Sequence, residues 1–171
     1  RLDLVVGAPA IPALEAHSDR EAVERWVEAR AGSQATAKRY RTEALRLLLW
    51  LQTVRQRPLA TMTGDDCRAY MVFLEHLPPD WIGQRKAAPF TPGWAPCRGP
   101  LSVASRRHTI TILSAMGDWL TSVRYLGLNP WRLINRRIGD ERGRSRLDTR
   151  AFTAETWAEI LRVLDEQAPS P

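Results

Sequence analysis

Cysteine, lysine and long apolar runs are scarce or missing in this chain of 171 residues. Cys67 and Cys97 are its only cysteines, lie far apart and form no C-x-x-C pair, which argues against a disulfide framework and for reduced thiols in a cytoplasm. A zinc set of Cys67, Cys97, His76 and His108 is conceivable, but its spacing fits no zinc pattern, so neither metal nor cofactor is expected. No stretch approaches about 18 consecutive apolar residues, so no membrane span or membrane partner is expected. The opening residues 2–16 lack a basic leader and a cleavage site. The first residue is Arg1 rather than Met, as in a segment of a longer protein. Catalytic signatures are also missing: there is no glycine-rich phosphate loop, no G-x-S-x-G and no H-E-x-x-H. His17-Ser18-Asp19-Arg20 spells H-x-x-R inside a helix cap and is read as chance. The chain by itself is therefore not expected to be an enzyme or to take a small-molecule substrate.

What is there is arginine. The formal net charge is +6, and of the 25 basic residues only Lys38 and Lys86 are lysines. Arginine makes planar, bidentate contacts that suit phosphate. Apolar residues make up 44%, enough for a core in one domain plus a fragment of another.

The periodicity is helical throughout, and no strand pattern or internal repeat competes with it. Residues 1–17, with Pro9 and Pro12, read as an arm. Ser18 and Glu21 form a capping box for a helix to about residue 30, closed by Gly32. Ser33 caps a second helix over about 34–54, with Tyr40, Ala44, Leu47, Leu48 and Leu51 on one stripe that Leu45, Leu49 and Trp50 widen. Thr63 and Asp66 box the third helix, about 64–77, which buries Ala69, Tyr70, Phe73, Leu74 and Leu77. Residues 78–100, rich in proline and carrying Trp81, Phe90 and Trp94, read as an ordered loop packed by its own rings. Ser102 caps a fourth helix, about 103–125, closed by Gly127 and by Asn129-Pro130. Its apolar face takes Ile112, Leu113, Met116, Trp119, Leu120 and Val123. Residues 136–150 form an arginine tether, and Thr153 caps a last helix over 154–167.

Three clusters are candidates for function. The start of the second helix offers Ser33, Gln34, Thr36, Lys38, Arg39 and Arg41, at a helix end that favours anions. The start of the fourth offers Ser102, Ser105, Arg106, Arg107, His108 and Thr111. There Arg107, Thr111 and Ser114 lie opposite the apolar face, and small hydroxyl residues beside arginine let a backbone approach a DNA groove. The tether offers Arg132, Arg136, Arg137, Arg142, Arg144, Arg146 and Arg150, diluted by Asp140, Glu141 and Asp148. Each cluster also reads as a merely solvated surface. The aromatic loop suits either the core or a stacking platform for unpaired bases.

Thr36 to Tyr40 (T-A-K-R-Y) followed by Leu45 and by Leu47 to Leu51, and Pro58-Leu59-Ala60 with Thr63, Asp66 and Tyr70, resemble successive segments of the tyrosine recombinase (phage integrase) family. So do Pro100-Leu101-Ser102 with Ser105, Trp119-Leu120, Tyr125-Leu126 and Asn129-Pro130-Trp131. Met62 stands where the family usually has an aliphatic residue, and the residues 94–102 look like an enlarged loop of some bacterial members. The resemblance covers about residues 18–165. It implies an all-α fold with a four-helix, SAM-like orthogonal bundle over residues 18–135, the core-binding domain. A basic interdomain linker would follow over 136–150, and the start of a catalytic domain over 151–171. It implies sequence-specific binding of double-stranded DNA through the second and fourth helices, other recombinase protomers as partners, and association with the bacterial nucleoid. The family's catalytic Arg, Lys, His-x-x-Arg and Tyr have no counterpart here, so Tyr40, Tyr70 and Tyr125 are not expected to be nucleophiles. A helical protein–protein adaptor with a basic surface is the competing expectation, and a helix-turn-helix regulator a third.

Overall fold

The computed structural model describes residues 14–83, 87–88 and 94–139, and the fold over them is all-α. The chain divides into two units, residues 1–136 and 137–171, and the helices below all belong to the first. Residues 140–171, and with them Arg144, Arg146 and the expected last helix, lie outside the described residues. So do Arg85, Lys86 and Phe90 of the loop and most of the N-terminal arm.

Helix α1 (Asp19–Arg30) starts where expected, with the Ser18 side chain accepting from the Glu21 N–H. The Glu21 carboxylate closes the box one residue early, on the His17 N–H at 2.9 Å. Helix α2 (Gln34–Trp50) starts at Ser33, runs on as a π-helical turn (Leu51–Arg55) and stops at Gln56, whose φ of 52° is left-handed. Helix α3 (Gly64–Glu75) carries both halves of the Thr63–Asp66 capping box. Helix α4 (Val103–Ser122) ends at Arg124, with φ 61°, after which the N–H groups of Tyr125 and Leu126 return to the Leu120 carbonyl. Two expected stops are thus corrected. Gly32 and Gly127 were the residues best suited to a left-handed cap, but Ala31 ends α1 in an extended conformation and Arg124 takes the turn after α4.

The apolar stripes meet in a core of Ala22, Val23, Trp26 and Val27 from α1, Ala44, Leu45, Leu47 and Trp50 from α2, and Cys67, Tyr70, Phe73 and Leu74 from α3. Helix α4 adds Ile110, Ile112, Leu113, Met116 and Leu120. Aromatic rings join the layers: Trp50 lies 5.0 Å from Tyr70, and Phe73 meets Trp81 edge-on at 4.8 Å. The start of the loop is therefore anchored on α3 through Trp81, while the expected packing of the loop on its own rings involves Phe90, which lies outside the described residues. Among the described residues a β-bridge, Ile82 to Cys97, closes the loop's ends.

Beyond α4 a short 3-10 turn (Pro130–Leu133) is pinned by Asn129. The Asn129 Nδ2 donates to the Ser114 carbonyl and to Asp118 Oδ1, both at 2.9 Å, while its Oδ1 accepts from the Trp131 N–H at 3.1 Å. The bond is possible because α4 carries Gly117 there: any Cβ at that position would overlap the Asn129 side-chain amide. Gly117→Ala should accordingly lower unfolding free energy by about 2–3 kcal/mol, since it overpacks the contact and unsatisfies buried polar groups. Urea denaturation of the two proteins checks this, and an unchanged midpoint would contradict the packing described.

Candidate nucleic-acid interface

The buried carboxylate of Glu43, 1% exposed, organises the contact between α2 and α4. Its Oε1 receives Arg39 Nε and Arg46 Nη1, each at 3.1 Å, and its Oε2 receives the Thr109 hydroxyl at 3.0 Å. Arg46 Nε also donates to the Pro96 carbonyl at 2.7 Å, which ties the end of the loop to α2. Arg39, expected at a DNA surface, thus spends part of its charge on an internal acid, although its side chain is still 44% exposed.

Other expected contacts prove to be internal. Arg106 is buried and pairs with Glu75 of α3 at 3.0 Å, so it braces α4 against α3 and offers nothing to a ligand. Arg41 forms a two-bond fork on Glu24 of α1, at 2.8 and 2.9 Å, and that hydrogen-bonded acid raises its pKa further. Thr36 and Ser105 belong to local caps: the hydroxyls of Ser33 and Ser102 donate to theirs and accept from their backbone N–H groups. Ser114, expected on the open side of α4, is buried, with Arg136 Nη1 donating to its Oγ. The conceivable zinc set is not gathered: Cys67 and Cys97 are buried, His76 and His108 are exposed, and the described residues hold no group of three potential ligands. Burial pushes both thiols up, and for Cys67 the Asp66 carboxylate adds to it.

Lys38, Arg107, His108 and Thr111 stand exposed as the sequence suggested, and so do Arg136 and Arg137. Lys38 has no ion pair among the described residues. Along α4, positions 107, 111, 114 and 118 recur at helical spacing on one side and span roughly 16 Å at 1.5 Å per residue. Arg136 is brought onto this stripe by Ser114, and Arg132 by Asp118, which takes its Nε at 2.7 Å and Nη2 at 2.6 Å. Asp118 is the sole acid among the 20 residues of α4, and it is already neutralised. Arg107 and Arg136 belong to separate clusters in the sequence; in the fold Arg136 meets α4 at Ser114, two turns beyond Arg107. The missed signal was Asn129, whose bonds to α4 lay the following chain beside that helix. Comparison with protein-family models, with curated proteins and with solved structures returned no match.

Two outcomes follow. Glu43→Ala leaves Arg46, only 14% exposed, without its acid and should cost about 3–5 kcal/mol, read as a lower urea midpoint; an unchanged midpoint would show that the pair contributes nothing. Asp118 is held below the ordinary carboxylate value first by the Arg132 hydrogen bonds and then by Asn129. A depressed folded-state pKa contributes stability that is fully present above about pH 4 and is lost as pH falls through the lower, folded value. Asp118→Asn should therefore lose less stability than the wild type between pH 4 and pH 2, by a margin that solvent screening keeps small. Parallel unfolding curves across that range would count against the Arg132–Asp118 pair.

Proposed function

We propose that this chain holds double-stranded DNA as the core-binding part of a site-specific tyrosine recombinase, with residues 18–135 as a SAM-like bundle. The supporting observation is the stripe on α4, where exposed Arg107 and Thr111 run on to Arg136 seated on Ser114, with the one acid of that helix, Asp118, paired with Arg132. Guanidinium groups and small hydroxyls on one helix face suit phosphates and base edges at a groove. Lys38 and the exposed part of Arg39 extend the cationic surface onto α2. The tether arginines Arg144 and Arg146 would add phosphate contacts further along the chain. The described tyrosines suit no nucleophilic role: Tyr70 is fully buried, Tyr40 stacks on Trp26, and Tyr125 donates to Asp19 at 2.6 Å. Strand cleavage would fall to residues outside this sequence, and other protomers would be partners in the assembled complex.

One observation favours the adaptor reading. Leu128 and Leu133 are 54% and 63% exposed and flank a groove lined by Met62, Gly64, Leu126 and Pro130. Salt separates the two. Duplex binding should weaken at least tenfold between 50 and 200 mM salt, as counterion release requires for several phosphate contacts. Arg107→Glu and Arg136→Glu should each weaken it about tenfold or more at 100 mM salt, compared under conditions where circular dichroism shows both variants folded. Fluorescence anisotropy with a labelled duplex measures both. Affinity that is flat with salt, or indifferent to both reversals, would remove the DNA reading and leave the adaptor.

A further inference from the structure

The α4 stripe continues into an aromatic groove that duplex binding does not use. Its lining is Trp26 and Arg30 from α1, Tyr40 from α2, and Ala115, Asp118, Trp119 and Ser122 from α4. The cavity holds about 350 Å³, within the size range of small-ligand sites. Tyr40 stacks flat on Trp26, with ring centroids 4.7 Å apart and planes 10° apart. Trp26 is fully buried beneath that stack, whereas Tyr40 and Trp119 remain partly open. Ala115 lies one turn beyond Thr111, and Asp118 one turn beyond Ser114, so groove and stripe adjoin on the same helix. Arg30, exposed and without an ion pair among the described residues, stands at the rim. The one acid in the lining already carries Arg132, so it does not repel a polyanion.

We propose, resting on the DNA reading above, that this groove takes a single unstacked base of the bound nucleic acid, held by Tyr40 and Trp119 with Arg30 on its phosphate. Aromatic surfaces stack on any base, so the site recognises unpairing rather than sequence. The rigid Trp26–Tyr40 stack keeps the platform in place before the base arrives. The unstacking cost lies on the DNA side, because a base leaves a duplex more easily where it is mismatched or unpaired. The groove would favour DNA that carries an unpaired base over the relaxed helix.

The test compares a perfect duplex with the same duplex carrying one unpaired 2-aminopurine, using the full 171-residue chain at fixed salt. The unpaired probe should bind roughly five- to a hundredfold more tightly, with its fluorescence quenched on binding. Trp119→Ala and Tyr40→Leu should each abolish the preference and the quenching while leaving duplex affinity within about twofold. Arg107→Glu should weaken both probes alike. Equal affinity for the two probes, or a preference that survives both aromatic variants, overturns the groove assignment and leaves the DNA reading standing. Failure to bind either probe overturns both.

Discussion

A single buried carboxylate sets the relation between the two helices on which any surface function depends. Glu43 sits inside the α2–α4 contact and is approached by two guanidinium groups from its own helix and a hydroxyl from the other. A bare carboxylate in such a place would be unfavourable by several kcal/mol, so the acid tolerates only a geometry in which its oxygens are filled. That requirement fixes Thr109 against α2, fixes Arg46 toward Pro96, and so holds the end of the loop where α4 begins.

Similar devices recur. Asp66 takes Arg55 and Arg57 at 2.5 and 3.0 Å while also capping α3, and Asp19 ties the Leu59 N–H and the Tyr125 hydroxyl to the start of α1. Asp66 joins the exit of α2 to the start of α3, and Asp19 joins segments that are distant in sequence. Much of the arginine content is thus spent on internal architecture. Fewer guanidinium groups are therefore left for the surface than the composition suggests.

The helices were legible because capping boxes and apolar stripes are local properties. Ser18, Ser33, Thr63 and Ser102 all act as N-caps at the starts they mark in the sequence. Helix ends were less legible, because long-range packing decided them. Leu126 is buried and Asn129 is drawn under α4, which requires the chain to turn at Arg124 rather than continue to Gly127. The candidate site was half legible for the same reason. Arg107 and Thr111 follow from helical phase alone, whereas Arg106 lies one residue away and faces the core, where Glu75 can reach it. No sequence period distinguishes an arginine that meets an acid 31 positions earlier from one that meets solvent.

Proximity, more than the number of charges, decides what the stripe on α4 can do. Arg132 and Arg136 come from the chain that follows the helix, and each is anchored to it by a hydrogen-bond acceptor. An anchored guanidinium loses less side-chain entropy on meeting a ligand than one on a free stem. Arg132 adds no net charge, because Asp118 cancels it, but the pair removes the single repulsive feature from α4. Arg107 and Arg136 are both exposed, and α4 itself carries no acid besides Asp118. The aromatic groove begins where this neutral pair sits, so a nucleic acid lying along the stripe would meet cations first and rings after. Asp118 is the hinge between those two chemistries, and the Gly117–Asn129 contact beside it is what holds Arg132 within its reach.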